Sequence, residues 1–68
     1  MIRTDKLIGL MAEKSYSRGA MAKALGVSPE TFRRKLKKGV FDSDEISAMI
    51  DILAIDDPIP IFFAKYGA

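Results

Sequence analysis

Residues 17–39, SRGAMAKALGVSPETFRRKLKKG, constrain the fold of this chain more than any other stretch. Ser17 is suited to cap a helix, and Met21, Ala22 and Leu25 then fall on one face at i, i+1 and i+4. Gly26 stands where the chain must reverse, a position that favours a residue at ease with positive φ. Val27 plugs the turn. Ser28 is a strong N-cap for a second helix, and Pro29 fits its first position, where a missing N–H is no loss. Phe32 and Leu36 give that helix an apolar stripe at i and i+4, while Arg33, Arg34, Lys35, Lys37 and Lys38 crowd the rest of its surface. The small side chain of Ala22 lets the two helices cross closely. A helix, a three-residue turn and a capped cationic helix make the helix-turn-helix layout, whose second helix enters a DNA major groove.

The flanking sequence predicts three more helices and no strands. Thr4 caps the first, whose stripe is Leu7, Ile8, Leu10 and Met11, and which runs to about Lys14 with Tyr16 packed under the next loop. Gly39 ends the cationic helix in a left-handed cap. Val40 and Phe41 form an apolar staple, and Asp42 with Glu45 has capping-box spacing. Ile46, Met49, Ile50 and Leu53 follow at i, i+3, i+4 and i+7, a strong helical stripe. Asp57 caps a last short helix with Pro58 at its first position, and Ile61, Phe62 and Tyr66 are its apolar contacts. Pro60 is tolerable in the first turn, where N–H groups lack intrahelical partners. The expectation is an all-α chain, residues 1–68 forming a single compact five-helix domain.

MAKALGVSPETF resembles the small-Ala-x-x-Leu-Gly-Val-Ser-x-x-Thr-Ile signature of phage and prophage Cro-type repressors, in the lambda-repressor-like class. GVFDSDEI is similar to the loop and fourth-helix start of those short repressors, and DPIPIFF to their terminal helix. The resemblance spans about Thr4 to Phe63, with two departures. Arg18 stands where the family carries Gln, and Arg can make the same phosphate contact. Phe32 replaces Ile or Val, a larger but still apolar residue. The resemblance implies a bundle that presents the third helix outward, and it places Ser28, Pro29, Glu30, Arg33 and Arg34 at the groove-facing positions.

Charge distribution agrees with a polyanion partner. The net charge is +2. Residues 1–41 carry ten basic side chains against Asp5, Glu13 and Glu30, a net of +7, and residues 42–68 carry a net of −5. The chain has no cysteine and no histidine, so it lacks a disulfide framework, a thiolate metal site and the commonest general base. No nucleophile–base pair is visible, which argues against an enzyme. Asp42, Asp44 and Glu45 lack the ligand count and central glycine of a calcium loop, so capping explains them better. Met11, Met21 and Met49 read as core filler. No cofactor or small-molecule ligand is implied. No apolar run approaches the ~20 residues of a membrane span, and no signal peptide is visible, so the expected location is the cytoplasm of a bacterial host, at the nucleoid.

Roles for the cations follow from the chemistry of duplex DNA. Phosphate contacts release counterions, and Arg18, Lys37 and Lys38 are best placed to make them. Thr31 either packs, caps or reaches a phosphate. Arg33 and Arg34 can each clamp guanine O6 and N7, and sequence does not say which reads a base and which holds a phosphate. Glu30 either accepts from cytosine N4 or only favours the helix dipole. Pro29 can pack on a thymine methyl. Lys35 points sideways. One recognition helix reads few base pairs, so a weak homodimer, or a dimer formed on DNA, is expected. Ile59, Ile61, Phe63 and Tyr66 are its interface candidates. Two function classes compete: a sequence-specific regulator bound to a double-stranded operator, and an antirepressor-like module that binds another regulator. The arginines and lysines of the third helix favour the first.

Overall fold

In a computed structural model, residues 2–63 are described. They form α1 (Thr4–Glu13), α2 (Arg18–Leu25), α3 (Pro29–Lys38), α4 (Ser43–Ile52) and α5 (Ile59–Phe62), with no strand among them. α2 packs chiefly on α3 and also on α4, while α1 packs on α5. No helix among the described residues is long and apolar enough to cross a membrane.

The expected stripes close a single core. Leu7 and Met11 of α1, Met21 and Ala22 of α2, Phe32 and Leu36 of α3, and Met49 of α4 are buried with Leu53, Ile61 and Phe62. Phe32 has no solvent exposure and meets the buried Phe41 with ring centroids 5.8 Å apart, inclined at 51°. The wider stripe residues Ile8, Leu10, Leu25, Ile46 and Ile50 are half-buried around this centre, as are Tyr16 and Val27.

Local chemistry fixes most helix ends. Ser17 Oγ accepts from the Ala20 N–H at 3.0 Å, and Ser28 Oγ from the Thr31 N–H at 3.1 Å. Asp42 and Glu45 close a capping box, each carboxylate accepting from the other's N–H at 2.8 and 2.9 Å. Gly26 and Gly39 end α2 and α3 at φ 74° and 69°. Gly26→Ala is expected to cost about 1–2 kcal/mol, the penalty of a left-handed L-residue. Nothing lies within 4 Å of an added Cβ there, so strain alone is at stake. Urea unfolding checks this: a lower midpoint at unchanged m is expected, and an unchanged midpoint would refute it.

Three expectations about the element ends need correction. Arg3, not Thr4, holds the N-cap position of α1, and no side chain caps it. The Arg3 N–H donates to the Ile61 carbonyl at 2.6 Å, and its own carbonyl receives the Leu7 N–H, so a tertiary contact starts the helix one residue early. The Arg3 guanidinium binds the exposed Asp5 carboxylate at 2.9 Å and holds that carboxyl below its usual range, chiefly through the hydrogen bond. α5 also begins later than expected. Pro58 is its N-cap residue, and the Asp57 carboxylate accepts from the Ile59 N–H at 3.2 Å. Finally, Phe41 alone turns inward. Val40 is 64% exposed, because Phe41, held against the buried Phe32, takes the inward place in this link.

One tertiary tie has no local mark in the sequence. Glu45 spends one carboxylate oxygen on the capping box and gives the other to Lys35 Nζ. The pair spans ten positions and joins α3 to the start of α4, with the Glu45 side chain only 8% exposed. Lys35 is thereby held to the bundle.

Candidate nucleic-acid interface

α3 owes its outward face to its inward one. Phe32 and Leu36 commit one side of the helix to the core, which turns Glu30, Arg33, Arg34 and Lys37 to solvent at helical spacing. These four side chains line a shallow hollow of about 290 Å³ on the helix surface. Neither arginine has an ion-pair partner among the described residues, where the pairs formed are Arg3–Asp5 and Lys35–Glu45. Lys38 is exposed in the last turn.

A second hollow, of about 260 Å³, lies where α1, α2 and α3 meet. Arg18 enters it from α2, Arg33 and Lys37 from α3, and Thr4 and Ile8 from α1, over the Leu36 side chain. It brings together Arg18 and Lys37, two of the expected phosphate ligands, and adds Arg33. Arg34 lines only the first hollow. Lys38 lines neither. Arg18 is also the first residue of α2, whose opening amides have no carbonyl to bind within the helix. Thr4 has the residue type of a cap, and local spacing does not reveal that it lies beside three cations. Its only trace in the sequence is its place at the start of an amphipathic helix.

The remaining groove candidates are set by the cap of α3. Ser28 Oγ accepts from the Thr31 N–H and its own proton goes to Thr31 Oγ1 at 2.9 Å. Ser28 can therefore accept a further hydrogen bond but has no proton left to donate. Thr31 is half-buried and keeps its hydroxyl proton for another partner. Pro29 is exposed at the first helical position and Glu30 follows it, a carboxylate in the first turn where the helix dipole favours it.

The interface candidates at the C-terminal end separate. Ile59 and Phe63 are 45% and 40% exposed. Ile61 is buried in the chain's own core at 6%, because α5 turns it with Phe62 toward α1, and this withdraws it from an accessible interface. Tyr66 lies outside the described residues.

Comparison with known proteins bears on the same segment. The model of the Fis family of bacterial regulatory proteins matches residues 6–39, from the third residue of α1 through the cap of α3, which is half of the 68 residues. It therefore covers MAKALGVSPETF, one of the three segments that carry the Cro-type resemblance, and stops before α4 and α5. No curated protein and no solved structure matches the chain. A capped cationic helix held outward across a three-residue turn, inside the matched segment, is the DNA-binding element of such regulators: the chain belongs to the Fis family of bacterial regulatory proteins and carries its helix-turn-helix DNA-binding domain.

Proposed function

We propose that the chain is a sequence-specific repressor of the Cro type, with residues 1–68 acting as one domain that lays α3 in the major groove of a double-stranded operator and excludes polymerase. The observation that carries this reading is the stripe of Glu30, Arg33, Arg34 and Lys37 on the outward face of α3, flanked by Arg18. Arg34 reads a guanine, since it lines only the outer hollow. Arg33 joins Arg18 and Lys37 in holding a phosphate, with Lys38 and Thr31 on the same backbone. Ser28 accepts from a base donor, Pro29 packs on a thymine methyl and Glu30 accepts from cytosine N4. The Cro-type part rests on the sequence through α4 and α5, where the capping box and the short proline-led helix agree with the resemblance.

Two copies fit such an operator better than one. The described residues measure 32 × 22 × 20 Å and offer one recognition helix, whereas successive major-groove faces lie ~34 Å apart. Ile59 and Phe63 are the exposed apolar residues that would join the copies on DNA. Selection from a random duplex library at near-physiological salt tests the whole reading. A two-fold motif with half-sites about one helical turn apart is expected. Binding without enrichment, lost as salt rises, would defeat sequence-specific recognition and favour the regulator-binding alternative. Phe63→Asp should stay folded and lose the two-site complex while keeping single-site binding, as read by gel shift. Full two-site affinity would remove Phe63 from the interface.

Lys38 gives a separate check on the phosphate set. Lys38→Ala is expected to weaken binding about equally on all duplexes and to flatten the log–log salt slope by about one. Titrations at four salt concentrations would show this, and an unchanged slope would take Lys38 off the backbone.

A further inference from the structure

Val40 has no role in the core or in the proposed DNA contacts, yet at 64% it is the most exposed large apolar side chain among the described residues. It directly follows Lys37, Lys38 and Gly39, so the end of α3 is a cationic corner tipped with an apolar group. A matching surface exists elsewhere on the chain. The end of α1, the α4–α5 connection and α5 border a shallow, open hollow of about 300 Å³ that shares no residue with α3. The half-buried Leu10 and Ile55 give it an apolar lining over the buried Leu53 and Ile61. Glu13, Asp56 and Asp57 line it too, against the single cation Lys14 among the described residues. Ala54, left-handed at φ 51°, makes the turn that carries Ile55 and Asp56 to this hollow.

We propose that a second copy of the chain docks its Lys37–Val40 corner in this hollow, Val40 against the apolar lining and the two lysines against Glu13 and Asp56. Both halves of the complementarity belong to this sequence, Lys37 and Lys38 on the corner and Glu13, Asp56 and Asp57 at the hollow. A foreign partner would need to bring what the chain already has. Corner and hollow are different surfaces, so the contact is head-to-tail and not two-fold. It is small, hence weak and salt-sensitive. Lys37 and Lys38 belong to the proposed phosphate set, so duplex DNA competes with self-association; this clause alone rests on the DNA-binding reading.

Amide NMR spectra of the full chain, recorded from about 20 µM to about 1 mM, test the contact in the range where a small interface populates its complex. Residues 37–41 are expected to shift together with Leu10–Lys14 and Ala54–Asp57, and the shifts should disappear in Val40→Asp. Lys38→Glu and Asp56→Lys should each weaken association at least fivefold alone, and an equimolar mixture of the two should restore it, because each variant's altered surface then meets its complement. A concentration-independent spectrum would overturn the proposal. So would shifts confined to Ile59 and Phe63, or contacts between Tyr66 and Ile55 within one molecule, which would mean that residues 64–68 fill the hollow. Added duplex should dissolve the complex. If it does not, while Val40→Asp still does, Lys37 and Lys38 leave the proposed phosphate set and the docking contact stands.

Discussion

Arg34→Ala is expected to bind the selected duplex about 5- to 150-fold more weakly, the equivalent of about 1–3 kcal/mol for a lost bidentate guanine contact. The loss should be confined to binding. Arg34 is exposed, makes no ion pair among the described residues and lies opposite the Phe32–Leu36 stripe, so its removal leaves the fold intact. The signature of base reading is that preference relaxes at one position of the motif while other positions keep theirs. A phosphate ligand behaves differently: its loss lowers affinity on every sequence and reduces the salt slope. Arg33→Ala, by its place beside Arg18 and Lys37, should show that second pattern. Repeating the library selection with both variants decides the matter. An exchanged result would reverse the two roles, and two uniform losses would leave the outward face without a base-reading arginine.

Phe32→Ala is expected to abolish the folded state or come close to it. Phe32 is fully buried on α3, the helix that packs chiefly on α2, and its ring meets Phe41 ahead of α4. Truncating a buried phenylalanine costs about 3–5 kcal/mol. Total stability at about 0.05–0.15 kcal/mol per residue leaves a chain of this size about 3–10 kcal/mol to lose. Thermal unfolding followed by circular dichroism should show a melting temperature tens of degrees lower, or no transition, with about 1 kcal/mol moving Tm by about 4–8 °C in small domains. Phe32→Leu should retain most of the stability. A shift of only a few degrees for the alanine variant would mean that the bundle collapses to fill the site, and that the crossing of α2 and α3 does not depend on this ring.

What was legible in the sequence was local. Ser17, Ser28 and the Asp42–Glu45 box announce helix starts because each cap is satisfied within three residues of itself. Gly26 and Gly39 announce ends because their φ is set by sterics at one position. The end of α4 carries no such mark: Ala54 adopts a left-handed conformation with only a methyl group to signal it, and the Ile55 N–H to Ile50 carbonyl bond of 3.0 Å completes the turn. The start of α1 was misread because it is decided by a backbone bond to α5, across most of the chain. At the site, the cations were found by count and spacing, since a helix with one buried stripe must expose the rest. Their grouping was not. That Arg18 meets Lys37 and that Lys35 is tied to Glu45 are consequences of how helices pack, which no single segment encodes.

The 2.6 Å bond between the Arg3 N–H and the Ile61 carbonyl closes the chain of helices into a ring. α5 has only four residues, far fewer than an isolated helix needs to persist in water. It exists as part of a clasp whose other half is the segment before α1. The clasp is expected to open as one piece, because the backbone bond and the packing of α5 on α1 are lost together when either end is released. Amide protons at the two ends of the molecule should therefore exchange with solvent at a common rate, as members of one cooperative unit, though almost sixty residues of chain separate them.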